Sequence, residues 1–332
     1  MNNPNTPFPQ SQGPSSFLLT SVGAYQNRGC EAIVRGTMEV LRHEFGSNVQ
    51  AQAGVVASRE VVNAQIRCEI DPSVSAFALT PPGGRRGTLA WCAEKANQRF
   101  GTAFHPHLKD LQYNVHTTSL ALEVGGDNYS IDYGRPVFYI AMDRYLQKLG
   151  LPVVLWGASV GPFDADPKFA RRMFAHLRTL SAIFVRESDS FNYLRANGVA
   201  ENVHLVADPA FVMKPVQPSA EKIGFELPDG AIGINLSQMV AFYRGQRPGD
   251  VDLKEWSAFC VELVKAAATL KRPIVLIPHV GLAVSQTEDF GLLHAVWQAV
   301  VNEVNVPVSV LTQDLSAAEL KWVIARCAVF AG

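Results

Sequence analysis

The side chains best suited to chemistry in this chain sit in polar loops that each follow a short apolar run. Arg186 ends the run 182–185 and precedes a helix start. Its guanidinium and the positive end of a helix dipole can therefore converge on one anion; the alternative is an ion pair with Glu187 or Asp189. His279 follows Ile274-Val275-Leu276-Ile277-Pro278. It can bind phosphate or exchange a proton near neutral pH, or serve as a structural histidine. Asp127, within Gly125-Gly126-Asp127-Asn128-Tyr129-Ser130, and Glu31, within Asn27-Arg28-Gly29-Cys30-Glu31, are the candidate carboxylates for proton transfer. Glu31 can instead complement the dipole of the helix it opens. Asn27 and Gly29 can line an anion-binding turn with N–H donors, or simply satisfy the geometry of that turn.

These loops need a scaffold that aligns strand ends. Residues 17–23 read as a buried strand, and the turn after them opens a helix with Ile33, Thr37, Leu41 and Phe45 on one face. Further strands are expected at 49–57, 119–124, 152–156, 182–185 and 203–206, then at 231–235, 273–277, 308–311 and 328–331. Helices are expected near 89–100, 136–149, 167–180, 253–270, 286–302 and 317–327, with a short one ended by Gly198. Strands alternating with helices imply parallel sheets with right-handed crossovers. The fold class is therefore α/β, with two Rossmann-like, doubly wound domains at 17–213 and 229–332. A Pro- and charge-rich stretch, 214–228, reads as the linker. In open sheets of this kind ligands sit beyond the carboxyl ends of the strands, where all these loops fall. The first turn lacks G-x-G-x-x-G, so a dinucleotide fingerprint is not supported.

Composition narrows the function. Of 332 residues, 48% are apolar and 18% charged, as expected for a protein burying two-sided strands, and a formal net charge of −1 argues against a nucleic-acid partner. Cys30, Cys68, Cys92, Cys260 and Cys327 are dispersed and odd in number, the pattern of reduced thiols in the cytoplasm. Residues 1–16 read as a disordered leader without the features of a signal peptide. No apolar run is long enough to span a bilayer, which leaves peripheral membrane contact open. His105, His107 and His116 lack metal-ligand spacing, and Asp164-Ala165-Asp166 reads as a helix cap, so no metal is expected. Arg85 and Arg86 lie in a glycine loop that can contact an anionic acceptor or remain solvated.

Taken in order, six segments resemble the polysaccharide pyruvyl transferase family. They are Asn27-Arg28-Gly29-Cys30-Glu31-Ala32, Gly125-Gly126-Asp127-Asn128-Tyr129-Ser130, Ser159-Val160-Gly161-Pro162-Phe163, Val185-Arg186-Glu187-Ser188-Asp189-Ser190, Asp208-Pro209-Ala210-Phe211 and Ile277-Pro278-His279. The resemblance implies a GT-B-like fold with its site between the two domains. It also implies transfer of a pyruvyl group from phosphoenolpyruvate, with no cofactor, to a hexose of a surface polysaccharide or its precursor, commonly as a ketal. Under it, Arg186, Asn27, Gly29, Ser159 and Gly161 bind the donor, Gly126, Asn128, Tyr129 and Asn235 bind a glycan or lipid-linked acceptor, and Asp127, Glu31 and His279 are catalytic. Two departures stand out: many members have Asp where this chain has Cys30, and the family's R-x-H motif would follow the strand at 328–331. The expectation is thus of a second domain incomplete at its C-terminus and of an inactive isolated chain. The other readings are a nucleotide-sugar glycosyltransferase of the same architecture and a non-catalytic carbohydrate-binding homologue.

Overall fold

The computed structural model describes residues 16–79, 115–131, 134–243, 253–280 and 288–332, with isolated positions 87, 91, 92, 95, 96, 108 and 111. Most of the expected leader and of the helix at 89–100, and all of Arg85, Arg86, His105 and His107, lie outside the described residues. The chain divides into two compact units, one of residues up to Ala24 with Ile33–Met213, the other of Tyr25–Ala32 with Lys214–Gly332.

In the first unit the order is β1 (Ser16–Val22), α1 (Arg28–Phe45, whose first turn belongs to the second unit), β2 (Gln50–Val55), α2 (Arg59–Cys68), β3 (Val74–Ala78), β4 (Leu120–Glu123), α3 (Val137–Lys148), β5 (Val153–Ala158), α4 (Pro167–Leu177), β6 (Ala182–Val185), α5 (Ser188–Ala196) and β7 (Val203–Leu205). The strands form one parallel sheet in the order β3-β2-β1-β4-β5-β6-β7. Strand order reverses between β1 and β4, the place where such sheets open a ligand crevice. The second unit contains α6 (Ala220–Ile223), β8 (Ile232–Ile234), α7 (Gln238–Tyr243), α8 (Leu253–Ala268), β9 (Ile274–Leu276), α9 (Glu288–Val300), β10 (Val308–Val310), α10 (Ala317–Arg326) and β11 (Val329–Ala331). Its sheet, β10-β9-β8-β11, is also parallel and reverses between β8 and β11.

Local chemistry explains the elements. α4 begins where Asp166 accepts a hydrogen bond from Phe169 N at 3.1 Å with Pro167 in the first turn, so the D-x-D is a cap as expected. Its buried stripe, Phe169, Met173 and Leu177, packs under β5 and β6 residues such as Leu155 and Ile183, each such side chain contributing about 1.5–3 kcal/mol. α2 and β3 were not anticipated. α2 buries only Val62 and Gln65 and leaves Ile66 exposed, and β3 is a half-exposed edge strand, so neither carries a strong apolar period. The stretch 214–228 is packed rather than free. Ser219 caps α6, Ile223 is buried, and Lys222 Nζ lies 2.8 Å from Glu319 Oε1.

One close approach holds the α1 side of the sheet to the β7 loop. A Cβ on Gly36 would lie 1.8 Å from the carbonyl oxygen of Pro209. Backbone cannot yield as a side chain can, so Gly36→Ala is expected to cost about 1–3 kcal/mol or more. Thermal melting checks this; an unchanged midpoint would show that α1 can shift freely at this point.

Candidate active site

In the first unit, the loops after β4, β5, β6 and β7 meet at one side chain. Arg186 Nε donates to Ser159 Oγ at 3.0 Å and Nη1 donates to Asp208 Oδ2 at 2.7 Å. Asp208 is itself fixed, since its Oδ1 accepts from Ala210 N at 2.8 Å. Ser159 N donates to Gly126 O at 2.7 Å, which draws the β4 loop alongside. Gly126 stands close to the guanidinium, and a Cβ there would sit 3.1 Å from Arg186 Nη1. The ion pair is thus with Asp208, twenty-two residues on, and with neither of the neighbours considered from sequence. Among the described residues, two of the five guanidinium donors are used; the side chain keeps 26% exposure, and its remaining donors can meet an anion.

The β4 loop is tied down around Asp127. Asn128 Nδ2 donates to Ser21 O at 3.2 Å, Asn128 N donates to Gly125 O at 3.1 Å, and Ser130 N donates to Asp127 O at 3.0 Å. The Asp127 side chain is half-buried and has no hydrogen-bond partner among the described residues, so its carboxylate is available to a ligand. Tyr129 is a correction. It is fully buried, its hydroxyl donates to Asp143, and its ring stacks on His176 at 6.5 Å, so its side chain is withdrawn from any acceptor. Asn128 likewise has its amide engaged with Ser21.

Ser159 and Gly161 do not offer backbone donors. Ser159 N is held by Gly126 O, Val160 N donates to Ser190 Oγ at 2.8 Å, and Gly161 N donates to Tyr129 O at 3.0 Å. Gly161 is needed for its backbone: φ is +80°, and a Cβ would lie 2.5 Å from the Tyr193 ring. The Oγ of Ser159 accepts from Arg186 and so helps to hold the guanidinium.

Behind this loop lies a polar cluster that sequence reasoning did not single out. Parallel register pairs Thr20 with Glu123, whose Oε2 accepts from Thr20 Oγ1 at 3.4 Å. Asp143 on α3 lies 2.9 Å from His176 Nε2 on α4, both side chains fully buried. Burial, then the charge of Asp143, push the Glu123 carboxyl well above the ordinary 4.5. The signal was present: Glu123 interrupts an apolar run, and Asp143 and His176 occupy the apolar stripes of their helices.

The raised Glu123 carboxyl sets a sign for pH. Above 4.5 the unfolded chain releases a proton that the folded chain retains, so stability is lost as pH rises toward the folded value. Glu123→Gln removes that loss. Its melting temperature relative to the parent should rise on going from about pH 5 to pH 8; a pH-independent difference would count against a protonated Glu123.

In the second unit, the first turn of α1 is already satisfied. Gly29 N donates to Asn27 Oδ1 at 2.9 Å, Cys30 N donates to Asn27 O at 3.0 Å, and Arg28 N donates to His279 O at 3.1 Å. Asn27 is a helix cap and Gly29 a capped donor, so the turn is not an open anion nest. Glu31 is also corrected. It is buried, and its Oε2 accepts from Arg28 Nη1 at 2.8 Å and from Ala317 N, the first residue of α10, at 3.0 Å. Its carboxylate serves a helix N-terminus, although not only that of its own helix.

His279 and Asn235 converge on a residue that sequence did not suggest. Asp289, 1% exposed, accepts at one oxygen from Asn235 Nδ2 at 3.2 Å and from His279 N and Val280 N at 3.1 Å each. Asn235 Nδ2 also reaches Ile277 O at 2.8 Å, so its amide nitrogen ties β8 to β9 and both its donors are used. The His279 ring stacks on Phe330 at 5.6 Å, and its Nε2 is buried without a hydrogen-bond partner among the described residues. Burial lowers its pKa, opposed by Asp289, which favours the neutral imidazole. Among the described residues, no three His, Cys, Asp or Glu side chains are grouped to hold a metal. Asp127, Arg186 and His279 remain as the reactive candidates.

Two parallel sheets of seven and four strands place the chain among GT-B-like α/β proteins. Solved structures agree. UDP-GlcNAc 2-epimerase of Neisseria meningitidis, bound to UDP-GlcNAc, superposes with a TM-score of 0.51 at 12% identity, over 95% of this chain and 76% of that one. The S. aureus MnaA–UDP co-structure gives 0.50 at 11% identity, over 95% and 73%. A Listeria monocytogenes protein assigned as a UDP-N-acetylglucosamine 2-epimerase gives 0.54 at 9% identity, over 96% and 74%. At such identities the likeness is one of fold. The sequence is more specific: residues 100–332 match the polysaccharide pyruvyl transferase family, and the chain belongs to it. No curated protein matches the chain. Among the described residues, no helix is long and apolar enough to cross a membrane.

Proposed function

We propose that this protein transfers the pyruvyl group of phosphoenolpyruvate to two hydroxyls of a hexose in a surface polysaccharide or its precursor, forming a ketal. Two C–O bonds form at the enol carbon while its bond to the phosphate oxygen breaks. One hydroxyl proton goes to the methylene carbon, making the methyl group, and the other leaves on inorganic phosphate. Arg186 binds the donor's phosphate or carboxylate, Asp127 moves a proton or holds an acceptor hydroxyl, and His279 is a second acid/base group. Family membership supports the reaction class, and the observation that carries the donor assignment is the fixed, part-exposed guanidinium of Arg186. We place the protein in the cytoplasm, a reading supported by its five cysteines being dispersed along the chain and odd in number.

The test is phosphate release from phosphoenolpyruvate in the presence of candidate acceptor glycans, paired with a thermal-shift titration. Stabilisation by phosphoenolpyruvate and acceptor-dependent phosphate release are expected. Stabilisation by UDP-sugars alone, with no phosphate release, would favour a nucleotide-sugar transferase instead.

A further inference from the structure

The cations of the first unit are not evenly matched. On the α1 side, Arg35 pairs with Glu69, and Arg42 lies 2.6 Å from Asp71. The opposite is true of α3 and α4. These helices lie side by side, joined by the Asp143–His176 contact and by Gln147 Nε2 donating to Thr179 O at 2.7 Å. Their exposed positions carry Arg144, Lys148, Lys168, Arg171 and Arg172, none with an ion pair among the described residues. Lys168, Arg171 and Arg172 line a groove of about 550 Å³ with Arg135. The one carboxylate there, Asp166, is already engaged by Arg135 and by the start of α4. The floor is Phe169, with the Arg135 guanidinium 5.7 Å above its ring.

We propose that this face docks on an anionic lipid surface. Unpaired like charges held together on folded helices are a cost that an anionic partner relieves. A single phosphate would need donors converging on one point. These cations are instead strung along two helices of 12 and 11 residues, each about 17 Å long at 1.5 Å per residue, which is the geometry of a plane. Phe169 is buried, so the contact is electrostatic and shallow, and it must weaken with salt. Each Lys or Arg near an anionic bilayer contributes roughly fivefold in affinity. The inference is independent of the donor assignment, because none of these residues has a role in it.

The test is co-sedimentation of the full 332-residue chain with vesicles of phosphatidylcholine alone or with roughly 30 mol% phosphatidylglycerol. Binding only to the anionic vesicles, and its loss near 0.5 M salt, is expected. Lys168→Gln, Arg171→Gln and Arg172→Gln together should weaken it about a hundredfold. A control with Arg59→Gln, Arg67→Gln and Lys271→Gln, which removes the same charge elsewhere, should bind like the parent. All six positions are exposed, and circular dichroism verifies folding. The proposal is overturned if the parent does not sediment, if both triple variants lose binding equally, or if millimolar inorganic phosphate displaces the protein and so reveals a small-anion site.

Discussion

Asp127→Asn lowers turnover about 10²-fold or more if Asp127 moves a proton, while the fold and donor binding stay intact. The substitution keeps size and hydrogen-bonding capacity and removes only the charge. The loop should tolerate it, because its anchors are Asn128 on Ser21 O, Ser130 N on the Asp127 backbone carbonyl, and Tyr129 on Asp143. None of these uses the Asp127 carboxylate. Steady-state phosphate release separates the outcomes: a drop in kcat with KM for phosphoenolpyruvate unchanged assigns proton transfer, whereas a raised acceptor KM with kcat retained assigns acceptor binding. Near-normal values of both would reduce Asp127 to a turn former.

Arg186→Ala weakens phosphoenolpyruvate binding tenfold or more. A charge-assisted hydrogen bond is worth about 1.5–3 kcal/mol, and 1.4 kcal/mol is a factor of ten. The variant also leaves Asp208 without its cation, so its melting temperature must be measured beside its affinity. Arg186→Lys separates charge from shape. A lysine keeps the charge, but its three donors leave at most one beyond Ser159 and Asp208 where arginine leaves three in a planar fork, so it should restore only part of the affinity. Donor affinity unchanged in a folded Arg186→Ala protein would remove Arg186 from the site.

The arginine illustrates how far one-dimensional reasoning reaches. Its place at the end of β6 follows from an apolar run ending in a polar turn, which a period-two strand and its boundary make visible. Its partner does not follow. Asp208 lies at the end of the next strand, and parallel pairing of β6 with β7 brings the two loops together. The same holds for Glu31, whose carboxylate meets Ala317 N, 286 residues away.

What the sequence alone determined is therefore the alternation of strands and helices, two parallel sheets, the set of polar strand-end loops, and the resemblance that family membership bears out. These rest on local periodicity and turn chemistry, which act over a few residues and leave their mark in residue order. Only the tertiary structure decided which polar groups stay available. It engaged the backbone donors of Gly29, Ser159 and Gly161, made Asn27 a helix cap, buried Tyr129 and Glu31, engaged the side-chain nitrogens of Asn128 and Asn235, and brought forward Asp143, His176, Asp208 and Asp289. The physical reason is that a buried polar group must find a partner, and strand pairing and helix packing, not neighbouring residues, set which partner lies within reach.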